Sequence, residues 1–142
     1  MKKYLLDTSV LLDLFLNRLP WAADMALVWD AHRQGRIQAL VAAFSIPTIF
    51  YVVRKQAGSS TAQAVVQACL STLDIAPIDQ ATLLAAQARS GPDFEDDLQI
   101  ACAVQARVDA IITRDPRGFA ASPIPLQTPA DLVASLPVPP TP

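Results

Sequence analysis

The chain is short of the residues on which many catalytic sites rely. It has one histidine, His32, one glutamate, Glu95, and two cysteines among 142 residues. His32 lies in a polar stretch near a helix end, where a solvated surface role is expected, so histidine acid–base catalysis and a histidine-rich zinc site fall away. Cys69 and Cys102 sit in apolar, helix-like stretches without metal-ligand spacing, a pattern that suits reduced thiols in a cytoplasmic protein. Bases are not in excess: 13 acids stand against 11, so nucleic acid is not drawn to the whole surface and any contact with it must be local. Long apolar runs are missing too. Met1-Lys2-Lys3 leads into a short apolar segment that ends at Asp7, and neither export nor a membrane span is expected. The chain shows no internal repeat that would argue for a solenoid.

What is present is enough apolar material, 52% of the residues, for one sizeable core. Tyr4-Leu5-Leu6 reads as a buried strand closed by Asp7-Thr8-Ser9, a hydroxyl-rich helix start. A helix from Trp21 to Gln34 stops at Gly35, a second strand runs from Ile37 to Ala43, and a helix from Ser45 ends in Arg54-Lys55 before Gly58. Ser59-Ser60-Thr61 opens a helix to about Thr72, Leu73 to Ile78 forms a third strand, and Asp79 caps a helix to about Arg89. Beyond Gly91-Pro92, Asp93 caps a helix to about Arg107, with Phe94, Leu98, Ala101 and Val108 as its inward stripe. Ala110 to Thr113 and Ile124 to Gln127 complete the strands, and Thr128-Pro129 starts a last helix. Strands alternating with helices predict an α/β fold: a central parallel sheet of four to five strands with helices on both faces. Residues 1–136 form one domain in this reading, and the tail 137–142 is too proline-rich to pack and is expected to be disordered.

Three acidic loci then share an edge. Asp7 and Asp115 follow strands, and Asp93-Phe94-Glu95-Asp96-Asp97 opens a helix, so all face the carboxyl ends where parallel sheets bind ligands. Each alone is equally readable as a cap or turn residue. Together they make a pocket of mutually repelling carboxylates, which a hard cation such as Mg²⁺ would fill through oxygen ligands. Metal-activated water needs no covalent nucleophile, and no nucleophilic serine or cysteine motif is present. Asp96 and Asp97 both lie where they could reach the site, and spacing does not choose between them.

These segments resemble the PIN-domain family, including the VapC-type ribonuclease toxins of bacterial and archaeal toxin–antitoxin pairs. The resemblance rests on Leu5-Leu6-Asp7-Thr8-Ser9-Val10, on Asp93 to Ala103 and on Ile111-Ile112-Thr113-Arg114-Asp115, in that order and spacing. It implies a three-layer fold, Mg²⁺ or Mn²⁺ as cofactor, RNA as substrate, an antitoxin protein as partner and a homodimer. Carried over by residue, it makes Asp7 the first metal ligand, with Thr8 or Ser9 ordering the ligand or its water. Asp96 is the central acid because Ala101 and Ala103 match an Ala-x-Ala pair, and Asp115 is the last acid, with Thr113 as its partner. Asp97 is an additional candidate ligand and Glu95 a weaker one.

One position departs from the pattern. Family members usually carry a glutamate in the helix after the second strand, and Thr48 stands at the equivalent place, as in a PIN branch with a small polar residue there. The resemblance thus makes Thr48 a catalytic candidate whose hydroxyl orients a metal-bound water without bringing charge. The departure supports a second reading, in which a PIN fold of weak or lost catalysis serves as an interaction module. Arg54, Lys55, Arg114 and Arg117 are the cations placed to flank the pocket and meet phosphates. Trp21, Trp29, Phe50 and Tyr51 read as core or dimer surface rather than as base-stacking platforms. A haloacid-dehalogenase-type phosphatase would need an aspartate where Ser9 stands, and a response-regulator receiver a lysine that the Leu73 to Ile78 region lacks.

Overall fold

Successive residues of the apolar segments point into two different buried surroundings, and that alternation builds the molecule. The computed structural model of the protein describes residues 1–139. Its sheet contains β1 (Lys3–Leu6), β2 (Gln38–Ala42), β3 (Asp74–Ala76), β4 (Ala110–Ile112) and β5 (Leu126–Gln127), all parallel in the order β3-β2-β1-β4-β5. Tyr4, Leu6, Ala39, Val41, Ala110 and Ile112 enter one core cluster, while Leu5, Leu40, Ala42 and Ile111 enter another on the opposite face. Strands apolar on both faces need a layer on each side.

The helices supply those layers. The first face carries α1 (Thr8–Phe15), α2 (Trp21–Arg33), α3 (Ser45–Ala57) and α4 (Ser59–Thr72), through buried residues such as Val10, Met25, Ile49 and Val65. The second is covered by α6 (Phe94–Ala106), through Ile100, Cys102 and Ala103, with α5 (Gln80–Arg89) packed on it through Ala86. A last helix, α7 (Pro129–Ala134), returns to the first face with Leu132. Asp79 and Asp93 are the N-caps of α5 and α6, accepting from the Thr82 and Asp96 backbone N–H groups. Both cysteines are free and buried, and burial pushes their thiols up to about 11. No helix among the described residues is long and apolar enough to cross a membrane. Of the expected tail 137–142, residues 140–142 lie outside the described residues. The Pro137 carbonyl accepts from Arg36 Nη1 at 2.8 Å.

Two expectations need correction. Phe94 does not belong to the inward stripe of α6: at the first helical position it is 49% exposed, and Val108 is buried only after the chain has left the helix. His32 is not a solvated surface residue. Its Nδ1 accepts the Ala39 N–H at 2.9 Å, and its Nε2, which must then carry the proton, donates to the Thr72 carbonyl at 2.6 Å. The reason lies in strand register. β3 begins to pair with β2 only at Leu40, so the Ala39 N–H precedes that ladder and needs a side chain to satisfy it.

The site's position follows from connectivity. From β1 the chain passes to α1 on the first face, whereas from β4 it enters a 3₁₀ turn, Pro116–Phe119, whose Phe119 packs on the second. Adjacent parallel strands whose continuations part in this way leave a crevice beyond their carboxyl ends. Asp7 and Asp115 stand on its two sides.

His32→Leu should lower the free energy of unfolding by about 1–3 kcal/mol, because it strands one buried donor and one acceptor. Urea titration near neutral pH measures this, and an unchanged midpoint would show that the clamp is dispensable.

Candidate active site

Asp7 is locked in place by backbone and side chain together. Its N–H donates to the Ile112 carbonyl at 2.9 Å, and its Oδ2 accepts from Ser9 Oγ and Thr113 Oγ1, each at 3.0 Å. Burial raises its pKa, and the Ser9 and Thr113 hydroxyls pull against that shift. Thr113 Oγ1 also accepts the Asp115 N–H at 3.2 Å. Thr113 therefore binds the side chain of Asp7 and only the backbone of Asp115, a division that the motif alone did not reveal.

Asp96 faces Asp7 from the first turn of α6. Burial and then the negative charges of Asp93, Asp7, Asp97 and Glu95 raise its pKa to about 6. The two aspartates line two adjoining cavities in common. The larger, about 540 Å³, also has Ser9, Trp21, Thr113, Arg114, Asp115 and Arg117 in its wall. The smaller, about 300 Å³, shares Ser9 with it and is completed by Thr8, Leu12, Phe44, Glu95 and Gln99.

The other candidates are placed differently. Asp97 turns away from both cavities: its Oδ2 accepts the Gly91 N–H at 2.9 Å, and Arg89 Nε lies 3.9 Å from its Oδ1. A Cβ on Gly91 would stand 2.6 Å from that oxygen, so the turn before α6 needs glycine to admit the carboxylate. Asp115 lines the larger cavity, but its side chain is 68% exposed and pairs with Arg117 Nε at 3.6 Å. Among the described residues no three His, Cys, Asp or Glu side chains are gathered closely enough to hold one ion between them. Two acids thus meet and the third waits at the rim.

Thr48 lines neither cavity, and its hydroxyl donates back to the Phe44 carbonyl at 3.4 Å. Ser45, one turn earlier, holds the buried position instead. Its Oγ lies 2.7 Å from Thr8 Oγ1, and Gln99 Nε2 donates to Ser45 Oγ at 3.3 Å, to Thr8 Oγ1 at 3.2 Å and to Asp7 Oδ1 at 3.5 Å. A neutral network therefore underlies Asp7. Sequence reasoning overlooked Gln99, although an amide within the buried stretch Leu98–Ala103, one turn after Asp96, was a usable signal.

Among the cations, Arg54 and Lys55 are exposed at the end of α3 and line neither cavity, whereas Arg114 and Arg117 line the larger one. Trp29 packs edge-on against Phe15 and Phe50 packs on the core, as expected. Trp21 does not. Its ring forms part of the carboxylate cavity, with the Arg114 guanidinium 4.2 Å from its centroid. Chemically, Asp7 and Asp96 offer oxygen donors of the kind a hard divalent ion takes, and such an ion would offset both the burial and the neighbouring negative charges that lift Asp96. The residues fit Mg²⁺ or Mn²⁺, which commonly bind through one or two carboxylates and keep water or phosphate as further ligands.

Residues 3–117 match the family described as PIN domain. No curated protein matches the chain. A toxin–antitoxin complex from Klebsiella pneumoniae superposes with a TM-score of 0.67 at 23% identity, over 89% of this chain and 97% of that one. The DNA-bound VapBC of Salmonella typhimurium gives 0.66 at 20%, over 91% and 99%. VapC20 of Mycobacterium tuberculosis, a sarcin-ricin loop cleaving toxin, gives 0.68 at 12%, over 83% and 94%. At such identities the likeness is one of fold.

The raised Asp96 pKa makes a signed prediction for protein in chelator. Between the ordinary value of 3.8 and about 6 the folded state holds a proton that the unfolded state has released, so this group's contribution to stability falls as pH rises through that window. Asp96→Asn mimics the protonated form. Its melting temperature should equal the parent's near the lower limit and exceed it above the upper one, and a constant difference across the window would refute the assignment.

Proposed function

The chain belongs to the PIN-domain family, and from that premise we propose that it is an endoribonuclease dependent on Mg²⁺ or Mn²⁺ and the toxin of a toxin–antitoxin pair. The observation that carries the reading is the meeting of Asp7 and Asp96 at the divergence of β1 and β4, with Asp115 and two arginines in the same cavity wall. Asp7 and Asp96 would hold the metal, and Asp115 would join them by turning away from Arg117. Ser9 and Thr113 keep the Asp7 carboxylate aimed, since both donate to its Oδ2 and leave Oδ1 the freer oxygen. When bound, the ion polarises a phosphoryl oxygen and lowers the pKa of the attacking water. Arg114 and Arg117 supply the local positive charge that an acidic chain needs to hold a phosphodiester.

The structural neighbours support the biological role. One is a toxin–antitoxin complex, a second is a DNA-bound VapBC, and a third is a toxin that cleaves the sarcin-ricin loop. By analogy this chain would cut RNA in the cytoplasm, in keeping with its two free thiols, and would act as a homodimer silenced by an antitoxin protein. One observation favours the weaker alternative, an interaction module with little catalysis. The helix after β2 brings Ser45, not a carboxylate, into the network of Thr8 and Gln99 that underlies Asp7, and Thr48 lies outside both cavities.

Two neighbours in α6 separate the readings. Asp7→Asn and Asp96→Asn should each cut Mn²⁺-dependent cleavage of RNA by about 100-fold or more, in the range seen when a group acting on the transition state is removed, without lowering the melting temperature in chelator. Asp97→Ala should do the converse, costing about 1–3 kcal/mol of stability with its charge-assisted bond to Gly91 while cleavage at low temperature persists. A parent protein that binds Mn²⁺ in calorimetry yet cleaves no RNA would favour the interaction module.

A further inference from the structure

α1 carries a charge where its neighbours predict another leucine. Asp13 follows Val10, Leu11 and Leu12 into the interior, and its side chain is fully buried. Arg114 Nε approaches Oδ2 at 3.0 Å and Arg18 Nη1 approaches Oδ1 at 3.6 Å, though neither oxygen accepts an aligned hydrogen bond. A buried carboxylate held by ion pairing alone is a poor means of stabilising a core, and an apolar residue of similar size would do better. Asp13 therefore calls for an explanation outside packing.

Arg114 provides it. The same guanidinium lies over the Trp21 ring at 4.2 Å and lines the larger cavity with Asp7, Asp96 and Asp115. Without Asp13, a mobile Arg114 would be free to turn to those three acids of the same cavity and cancel the charge that the site needs. Anchored on one side by Asp13 and stacked on Trp21, it stays at the cavity wall. Arg114 meets Asp13 through Nε, and its terminal nitrogens complete the guanidinium at the cavity wall. Those nitrogens form the kind of planar fork that suits a phosphate.

Resting on the ribonuclease reading, we propose that Arg114 binds a backbone phosphate of single-stranded RNA beside the scissile bond, and that Asp13 and Trp21 are positioning residues acting through it. The proposal reverses the sign expected from charge alone. Removing an acid near a phosphate site strengthens RNA binding by simple electrostatics. Removing Asp13 should weaken it, because the arginine is released.

Anisotropy of a labelled single-stranded oligoribonucleotide, titrated in EDTA and again in Ca²⁺ over a series of KCl concentrations, tests this. Arg114→Gln should weaken binding about tenfold, the worth of one charge-assisted contact, and reduce the salt slope by about 0.7, the value for one phosphate on a single strand. Asp13→Asn and Trp21→Leu should each weaken binding in the same direction, and Asp13→Asn should add little on the Arg114→Gln background. Arg114→Lys should restore the slope but not the full affinity, since charge returns without the planar fork. Binding by Asp13→Asn that matches or exceeds the parent's overturns the proposal. If that variant does not fold, unchanged affinity and slope in both Trp21→Leu and Arg114→Gln overturn it equally. A parent that binds no RNA under any of these conditions removes the ribonuclease reading and this inference together, whereas a parent that binds RNA with all variants unaffected removes the inference alone.

Discussion

The pairing of β1 with β4 extends one hydrogen bond past the end of β1, from the Asp7 N–H to the carbonyl of Ile112, the last residue of β4, and the geometry of the cleft hangs on it. That bond fixes the backbone of the first acid at the place where the chain parts toward opposite faces of the sheet. Thr113, the next residue of the partner strand, then reaches both the Asp7 carboxylate and the Asp115 N–H. A single sheet register thus sets the separation of two acids that are distant in sequence. Small shifts in β4 would be transmitted to both.

Electrostatic tension is built into this arrangement and partly contained by it. Asp7 sits among hydroxyl and amide donors, which favour its ionised form against burial, while Asp96 is lifted by burial and then by other acids, with no such donors among the described residues. The two carboxylates across the cleft are therefore unlike in environment. Unlike environments are how proteins give identical side chains different protonation behaviour. The nearby acid Asp97 adds its charge to the surroundings of Asp96 while its bond to Gly91 turns its carboxylate out of the cleft, so the cluster that opens α6 divides into a cap, a cleft residue and a staple, in Asp93, Asp96 and Asp97.

Much of this was legible in the chain. Short apolar runs bounded by turn residues marked the five strands, because strands covered on both faces must be apolar throughout, and Asp79 and Asp93 announced their helices as caps do. That Asp7, Asp115 and the acids opening α6 lie at one edge was readable because strand ends and a helix start share an edge of such a sheet, whereas spacing left Asp96 and Asp97 open and only the family resemblance favoured Asp96, the one in the cavity wall. Features that depend on partners remote in sequence were not visible. His32 looked like a surface residue beside Arg33 and Gln34, yet its partners are backbone groups of Ala39 and Thr72, which no pattern of side chains advertises. Thr48 drew attention by what it replaced, whereas Ser45 and Gln99 do the contacting. Trp21 read as one more apolar residue, because only the folded chain brings Arg114 over its ring.

The pair at the rim has a consequence of a different kind. Asp115 is held by Arg117 through both its backbone N–H and its guanidinium, and the two side chains are largely exposed. Anything that recruits this carboxylate must first displace the arginine, so Arg117 is a tethered competitor for whatever the cleft binds. Exposed pairs of this sort are weak and screened by salt. The competitor can therefore lower the apparent affinity of an incoming cation only by the fraction of time it occupies the acid. Once displaced, it is released as a free positive charge at the mouth of the cleft, where an approaching phosphate chain would next arrive.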